Sequence, residues 1–232
     1  MKICVVTGAS SGIGYAIADA LQADGYTVVA TARREDRLRQ LPATNVITIT
    51  GDLSDAAFQD QLITTVYEKY GRCDYLFNCA GCIATGSIED IDIDKVTDMI
   101  QLNVTATIRL TYQMLKRFRQ QGFGHVINMS SVLGTKVRPT AGAYAATKFA
   151  MEALSEALRM ELTGSNIQVS CIEPGLVMTE LHNDWKVHPK EAMGIHEPLT
   201  TDDIVGTVRF IMQQPAHVRI PRLMILPKDH NI

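Results

Sequence analysis

Short β-branched and apolar runs alternate with longer stretches of helical periodicity along the whole chain. The runs Lys2–Val6, Thr27–Thr31, Val46–Thr50, Asp74–Asn78, His125–Met129, Ile167–Ile172 and Arg222–Leu226 read as strands, each short and bounded by turn-forming residues. Apolar positions recur at helical spacing over about Tyr15–Ala23, in a short stretch to about Leu41, and over Ala56–Tyr70. They do so again over about Asp94–Gln121, Ala143–Thr163 and Asp202–Gln213, with a less regular stretch at about 180–200. Strands joined through helices pair in parallel, because a parallel pair needs a crossover connection. Right-handed crossovers then place helices on both faces. The pattern predicts an α/β fold with a doubly wound parallel sheet of about seven strands. No repeat, low-complexity tract or Pro/Gly/Ser-rich linker divides the 232 residues, so one domain over 1–232 is expected.

Composition narrows the classes of function. With 46% apolar and 20% charged residues the chain can bury a substantial core, which a disordered chain cannot. Lys plus Arg is 22 and Asp plus Glu 25, a net charge of −3, without the basic surplus of a nucleic-acid binder. No apolar run approaches the ~20 residues that span a bilayer. The apolar start stops at Thr7-Gly8, short of the about 7–15 residues of a secretory core segment. A cytoplasmic protein with no nucleic-acid or membrane partner is the expectation. The five cysteines (Cys4, Cys73, Cys79, Cys82 and Cys171) are odd in number and scattered. Cys79 and Cys82 form a CxxC, but it follows a strand and runs into a loop, away from the helix start that activates a redox thiol. Zinc would need two further ligands at suitable spacing. Ordinary thiols and no metal site are expected.

Thr7-Gly8-Ala9-Ser10-Ser11-Gly12-Ile13-Gly14 lies between the first strand and the first helix. Glycines there let the backbone turn tightly and approach a dinucleotide pyrophosphate, which faces the N–H groups of the helix start. The second strand ends Ala30-Thr31-Ala32-Arg33-Arg34. An acid at that point holds a ribose 2′-hydroxyl, whereas Arg suits a 2′-phosphate. Ala32 stands where the acid would fall, and Arg33 and Arg34 offer planar guanidiniums, so NADP(H) is expected over NAD. Tyr144 and Lys148 sit four apart on one helix face. A free phenol has a pKa near 10, and a neighbouring ammonium favours its ionised form. Ser131 follows the fifth strand, thirteen residues before Tyr144.

Taken together, these motifs resemble the short-chain dehydrogenase/reductase family over essentially the full length. The residues that carry the resemblance are Thr7–Gly14 (TGxxxGxG), Asp52, Asn78-Cys79-Ala80-Gly81 (NxAG), Asn103, Ser131, Tyr144, Lys148, Pro174-Gly175 and Thr179. The family implies a single Rossmann-fold domain that transfers a hydride between NADP(H) and a carbonyl or secondary alcohol. It implies that Tyr144 is the general acid/base, and that Lys148 holds the nicotinamide ribose and depresses the Tyr144 pKa. Ser131 would hydrogen-bond the substrate oxygen, with Ser130 its nearest rival, and Asn103 would anchor a water linking Lys148 to solvent. Cofactor contacts would come from Gly8, Ser10, Ser11, Gly12, Ile13, Gly14, Arg33, Arg34, Asp52, Leu53, Asn78, Ala80, Gly81, Tyr144 and Lys148. Pro174, Gly175, Val177 and Thr179 would complete the set on the nicotinamide side.

Two departures stand out. Cys79 replaces the second Asn of the usual Asn-Asn-Ala-Gly, and the ending Val218–Pro227 lacks the Gly-rich tail of ketoacyl-reductase-like members. That ending is similar to the branch acting on 3-hydroxy acids, serine and small carbonyl compounds. Glu180–Leu199 falls where the family places a substrate lid and holds Trp185, His182, His188, His196 and Met193. Trp185 and Met193 are expected either to line an apolar pocket or to pack the lid. The family also implies a homodimer or homotetramer through the helices carrying Asn103 and Tyr144. The alternative function is a non-catalytic NADP-binding sensor on the same fold. A methyltransferase would want an acid after the second strand, against Ala32-Arg33.

Overall fold

The computed structural model describes residues 1–183, 185, 187 and 189–232. The strands are β1 (Ile3–Thr7), β2 (Thr27–Ala32), β3 (Val46–Thr50), β4 (Tyr75–Asn78), β5 (Gly124–Met129), β6 (Ile167–Pro174) and β7 (Arg222–Ile225). All pair in parallel in one sheet of order β3-β2-β1-β4-β5-β6-β7. Chain order reverses direction between β1 and β4, and in such sheets the crevice outside the strands' carboxyl ends at this point takes the ligand.

The helices are α1 (Gly12–Ala23), α2 (Glu35–Leu38), α3 (Ala56–Tyr70), α4 (Ile93–Ile100), α5 (Thr107–Gln121), α6 (Gly142–Glu161), α7 (Pro189–Ala192) and α8 (Thr201–Met212). Strand side chains alternate between faces, and this builds two cores. Ile3 and Val5 of β1 join Leu76 and Val126 against Leu62 and Val66 of α3, Leu110 and Phe118 of α5, and Leu158 of α6. Cys4 and Val6 join Phe77 and Ile127 against Ile17 and Leu21 of α1 and Val205 and Val208 of α8. Burying each such large aliphatic or aromatic side chain contributes about 1.5–3 kcal/mol. Strands flanked on both sides by helices have no polar face, which is why β1 and β2 are buried throughout.

Three expectations are corrected. The helical stretch at 94–121 is broken by a π-helical turn, Gln101–Ala106, between α4 and α5, with the Thr107 hydroxyl donating to the Leu102 carbonyl at 3.0 Å. Helix α1 starts at Gly12, ahead of Tyr15, because the glycine-rich segment itself forms the first turn. A polar residue that opens a strand is expected at an edge, but His125 is buried inside the sheet, since β5 lies between β4 and β6. Of the α6 positions compatible with either a core or an interface, Ala145 and Leu158 are buried, Leu154 packs on the core, and Phe149 faces outward. No helix among the described residues is long and apolar enough to cross a membrane.

His125 has a consequence for pH. The Ser170 hydroxyl donates to the Ile220 carbonyl at 2.6 Å, so its oxygen accepts from the Nε2–H of a neutral His125 at 2.8 Å. Burial, with the Arg219 charge adding to it, pushes the imidazole down to about 4. The unfolded chain binds this proton near pH 6.5, so the stabilisation is complete above that pH and is lost as pH falls towards 4. The loss from this group is about 3 kcal/mol. Urea denaturation of wild type between pH 7 and 4 should therefore show a steeper fall in stability than that of His125→Asn. Parallel curves would remove His125 as the cause.

Candidate active site

Thr7, at the end of β1, ties the switch point together. Its hydroxyl donates to the Phe77 carbonyl at 3.2 Å and accepts from the Cys79 and Ala80 N–H groups at 3.1 Å. The chains then come too close for side chains. A Cβ on Gly8, whose φ is +67°, would lie 2.7 Å from Ala80 Cα, and one on Gly14 would lie 2.5 Å from the Gly8 carbonyl oxygen. Helix α1 thus begins against the ends of β1 and β4. Ser11 stands at its N-cap without a side-chain capping bond, and the first turn holds no acid. Helix-start N–H groups left without a cap favour an anion. They open on a cleft of about 460 Å³ lined by Gly8, Ser10, Ser11, Gly12, Ile13, Gly14, Arg33, Arg34, Asp52, Leu53, Ala80, Gly81, Tyr144, Lys148 and Thr179, among others.

The missing cap has a cause. Arg34 Nε donates to Ser10 Oγ at 3.2 Å and its Nη2 to Ser11 Oγ, binding the glycine-rich turn to the end of β2. Its Nη1 reaches Glu180 at 3.1 Å, and Arg37 approaches the other oxygen of the same carboxylate at 3.6 Å. These guanidiniums therefore already hold an anion supplied by the chain itself. Arg33 is 72% exposed at its side chain and only 3.9 Å from Asp52, so its charge is available at the cleft.

Tyr144 and Lys148 emerge from the first turns of α6. Lys148 Nζ donates to the Met129 carbonyl at 2.8 Å and stands 5.7 Å from the centre of the Tyr144 ring. Tyr144 is largely buried and lines both the cleft and a second cavity of about 100 Å³. That second cavity also receives Ser131, Leu133, Arg138, Gly175, Val177 and Met193. Ser131 caps the short turn Val132–Gly134, its oxygen accepting from the Leu133 N–H at 3.1 Å, which leaves the hydroxyl proton free to donate. Ser130 borders both spaces, but its buried oxygen has no hydrogen-bond partner among the described residues and packs beside Gly134.

Not every expected residue reaches the cleft. The buried Asn78 amide donates to Thr111 Oγ1 at 2.9 Å and Asn128 Oδ1 at 2.8 Å, so it braces β4 against β5 and α5 from below the cleft. Asn103 is buried in the π-helical turn. It accepts from the Cys82 N–H at 3.0 Å and donates to the Cys82 carbonyl at 2.8 Å, clamping the loop after Gly81. Pro174, Gly175 and Val177 line the second cavity rather than the cleft, and Thr179 borders both. Burial pushes the Cys79 thiol up to about 12, away from the thiolate a redox pair needs.

In the lid, Met193 and His182 line the second cavity, whereas Trp185 packs edge-on to His182 at 5.1 Å. His196 pairs with Asp229 at 3.0 Å, and His188 lies outside the described residues. Three residues at the site were not anticipated: Glu180, Arg138 and His230. Arg138 sits between Ser131 and Tyr144, and that bracketing was a usable signal. Nothing local marks His230, which the tail folds back until a Cβ on Gly175 would meet its Nδ1 at 2.6 Å.

Strand order, the glycine-rich turn and the cleft together define a Rossmann-type fold. The short chain dehydrogenase family profile matches residues 2–190. An uncharacterised oxidoreductase of Staphylococcus epidermidis is 31% identical over 229 residues, covering 97% of both chains. Among solved structures, a closed form of serine dehydrogenase complexed with NADP+ superposes with a TM-score of 0.89 at 28% identity, over 96% of this chain and 94% of that one. An alcohol dehydrogenase of the archaeon Thermococcus sibiricus, complexed with 5-hydroxy-NADP, gives 0.89 at 28% identity over 100% and 99%. The chain belongs to the short-chain dehydrogenase/reductase family of oxidoreductases.

The contact at Gly14 separates two glycines cleanly. Gly14→Ala should destabilise the fold by about 1–3 kcal/mol through overpacking. Gly206→Ala, in α8 with open space around it, should stabilise by about 0.5–1 kcal/mol. Thermal unfolding of the two variants checks both signs.

Proposed function

We propose that the protein is an NADP(H)-dependent oxidoreductase that interconverts a carbonyl and a secondary alcohol, with Tyr144 as general acid/base. The observation that carries this reading is the position of Tyr144 at the join of the cleft and the smaller cavity, with Ser131 lining that cavity and Lys148 one turn further along α6. The cleft fits a dinucleotide phosphate on three counts: the uncapped α1 start, the side-chain-free approach at Gly8 and Gly14, and the exposed guanidinium of Arg33. A bound nicotinamide supplies or accepts the hydride.

The chain's own residues handle the proton and the oxygen. In reduction the Tyr144 phenol gives its proton to the substrate oxygen, and in oxidation it takes that proton back. The free Ser131 proton donates to the same oxygen and stabilises the charge that develops on it. The Lys148 ammonium stabilises the negative charge that the phenol takes up. Asn103 acts by holding the Cys82 loop and the π-helical turn in place. Arg33 favours NADP(H) over NAD(H), and Arg34 holds the glycine-rich turn beside it through Ser10 and Ser11. The exposed Ile93 and Ile100 of α4 and Phe149 of α6 support pairing of copies into a dimer or tetramer. Five free cysteines support a cytoplasmic location.

Two experiments test this. Tyr144→Phe should retain cofactor binding while carbonyl-dependent NADPH oxidation falls about 10²–10⁴-fold; full turnover would refute the assigned role. Arg33→Asp should weaken NADPH binding by about tenfold or more, through loss of a charge-assisted contact, and leave NADH little changed. An unaltered NADPH/NADH ratio of kcat/KM would refute the role of that loop.

A further inference from the structure

The smaller cavity carries a charge that the reaction above does not use. Arg138 lies on the segment between the Val132–Gly134 turn and α6, half-buried, and lines this cavity with Ser131, Tyr144 and Met193. Among the described residues no carboxylate stands within ion-pair distance of it; its one hydrogen bond, at 2.7 Å, goes to the thioether of Met193. A thioether is a weak acceptor, and a guanidinium has five N–H groups to satisfy. Arg109 and Arg209, also half-buried, are by contrast paired with Asp60 and Asp24. The ionisable groups beside Arg138 do not balance it: Tyr144 is a phenol, and His230 is an imidazole, which carries no negative charge in either form and whose pKa burial and the Arg138 charge push down. A partly desolvated charge without a counter-ion is costly unless a ligand supplies one.

We infer that Arg138 holds the carboxylate of a compact oxo- or hydroxy-acid substrate whose reacting oxygen faces Ser131 and Tyr144. The planar fork of a guanidinium matches a carboxylate through two parallel hydrogen bonds. Because Arg138 and the Ser131–Tyr144 pair border one cavity, a single molecule can meet both, carboxylate at one end and carbonyl or hydroxyl at the other. Size limits that molecule. The cavity is about 100 Å³, so a compact acid of a few carbons fits once Met193 moves aside, and a long acyl chain does not. Met193 is displaced from Arg138 as the acid enters, and its side of the lid then covers the substrate. The inference builds on the Tyr144 reading by naming the substrate class.

The test separates the two. With NADP+ present an oxo acid cannot be reduced, so acetoacetate and its uncharged counterpart 2,4-pentanedione can be titrated calorimetrically without turnover. Wild type should bind acetoacetate at least about tenfold more tightly. Arg138→Gln should weaken acetoacetate by about 10- to 100-fold and change 2,4-pentanedione by less than about threefold, as loss of one charge-assisted contact requires. Arg138→Lys, which keeps the charge, should retain part of the preference. Equal binding of the two compounds, no binding of acetoacetate to wild type, or equal weakening of both by Arg138→Gln would overturn the role of Arg138. Reduction of neutral ketones by wild type, and its loss in Tyr144→Phe, is measured alongside. Absence of any Tyr144-dependent reduction would overturn the reaction assignment instead, whatever the titrations show.

Discussion

A side chain at Gly14 would collide with the Gly8 carbonyl, and one at Gly8 would collide with the backbone at Ala80. Bare backbone therefore packs three elements, β1, β4 and α1, into one corner, and Thr7 pins it from inside with three hydrogen bonds. The corner directs the helix-start N–H groups into the cleft, and it frees Ser10 and Ser11 to receive Arg34. The cleft depends on it, as does the meeting of the lid with the Arg34–Arg37 pair. A Rossmann sheet of the same shape without this contact would have the layers and no such cleft.

Chemistry enters where two spaces meet. Tyr144 borders the long cleft and the small cavity, so a group bound in one and a molecule bound in the other face each other across a phenol. The surrounding structure is arranged to hold that phenol still. Helix α6 is buried along one face, Asn103 clamps the neighbouring loop from the π-helical turn, and Lys148 is fixed to the end of β5 through the Met129 carbonyl. Preorganised donors of this kind act without reorganising during the reaction. On the far side of the cleft, Glu180 occupies Arg34 and Arg37, so the first residues after Thr179 are anchored to the segment that follows β2 rather than to the smaller cavity.

Local patterning made much of this readable. Apolar and β-branched runs between helical periods marked all seven strands and their order along the chain, most clearly the inner ones, because strands buried on both faces must be apolar throughout. The glycine spacing and the Tyr144–Lys148 interval were legible for a similar reason: each is a short-range geometric demand, a turn without a Cβ and two side chains on one helix face. Where interactions were long-range, the reading slipped. His125 looked like an edge because its place in the sheet depends on β6, which arrives some forty residues later. The bracing role of Asn78 went unread because its partners, Thr111 and Asn128, come from two other elements. The π-helical turn at Gln101–Ala106 has no periodic signature, being a one-residue shift in hydrogen bonding.

The amino-acid sequence by itself determined the α/β alternation, the glycine-rich turn and the placing of Tyr144 and Lys148 on one helix face, since these rest on hydrophobic period, glycine conformation and helical spacing. Tertiary structure alone decided which charges are spoken for. Arg34 and Arg138 look alike in the chain, yet one is tied to two serines and the Glu180 carboxylate while the other faces a cavity with, among the described residues, no carboxylate within ion-pair distance. A guanidinium's role depends on which counter-charges surround it, and those come from residues far apart in sequence that only the folded sheet brings together.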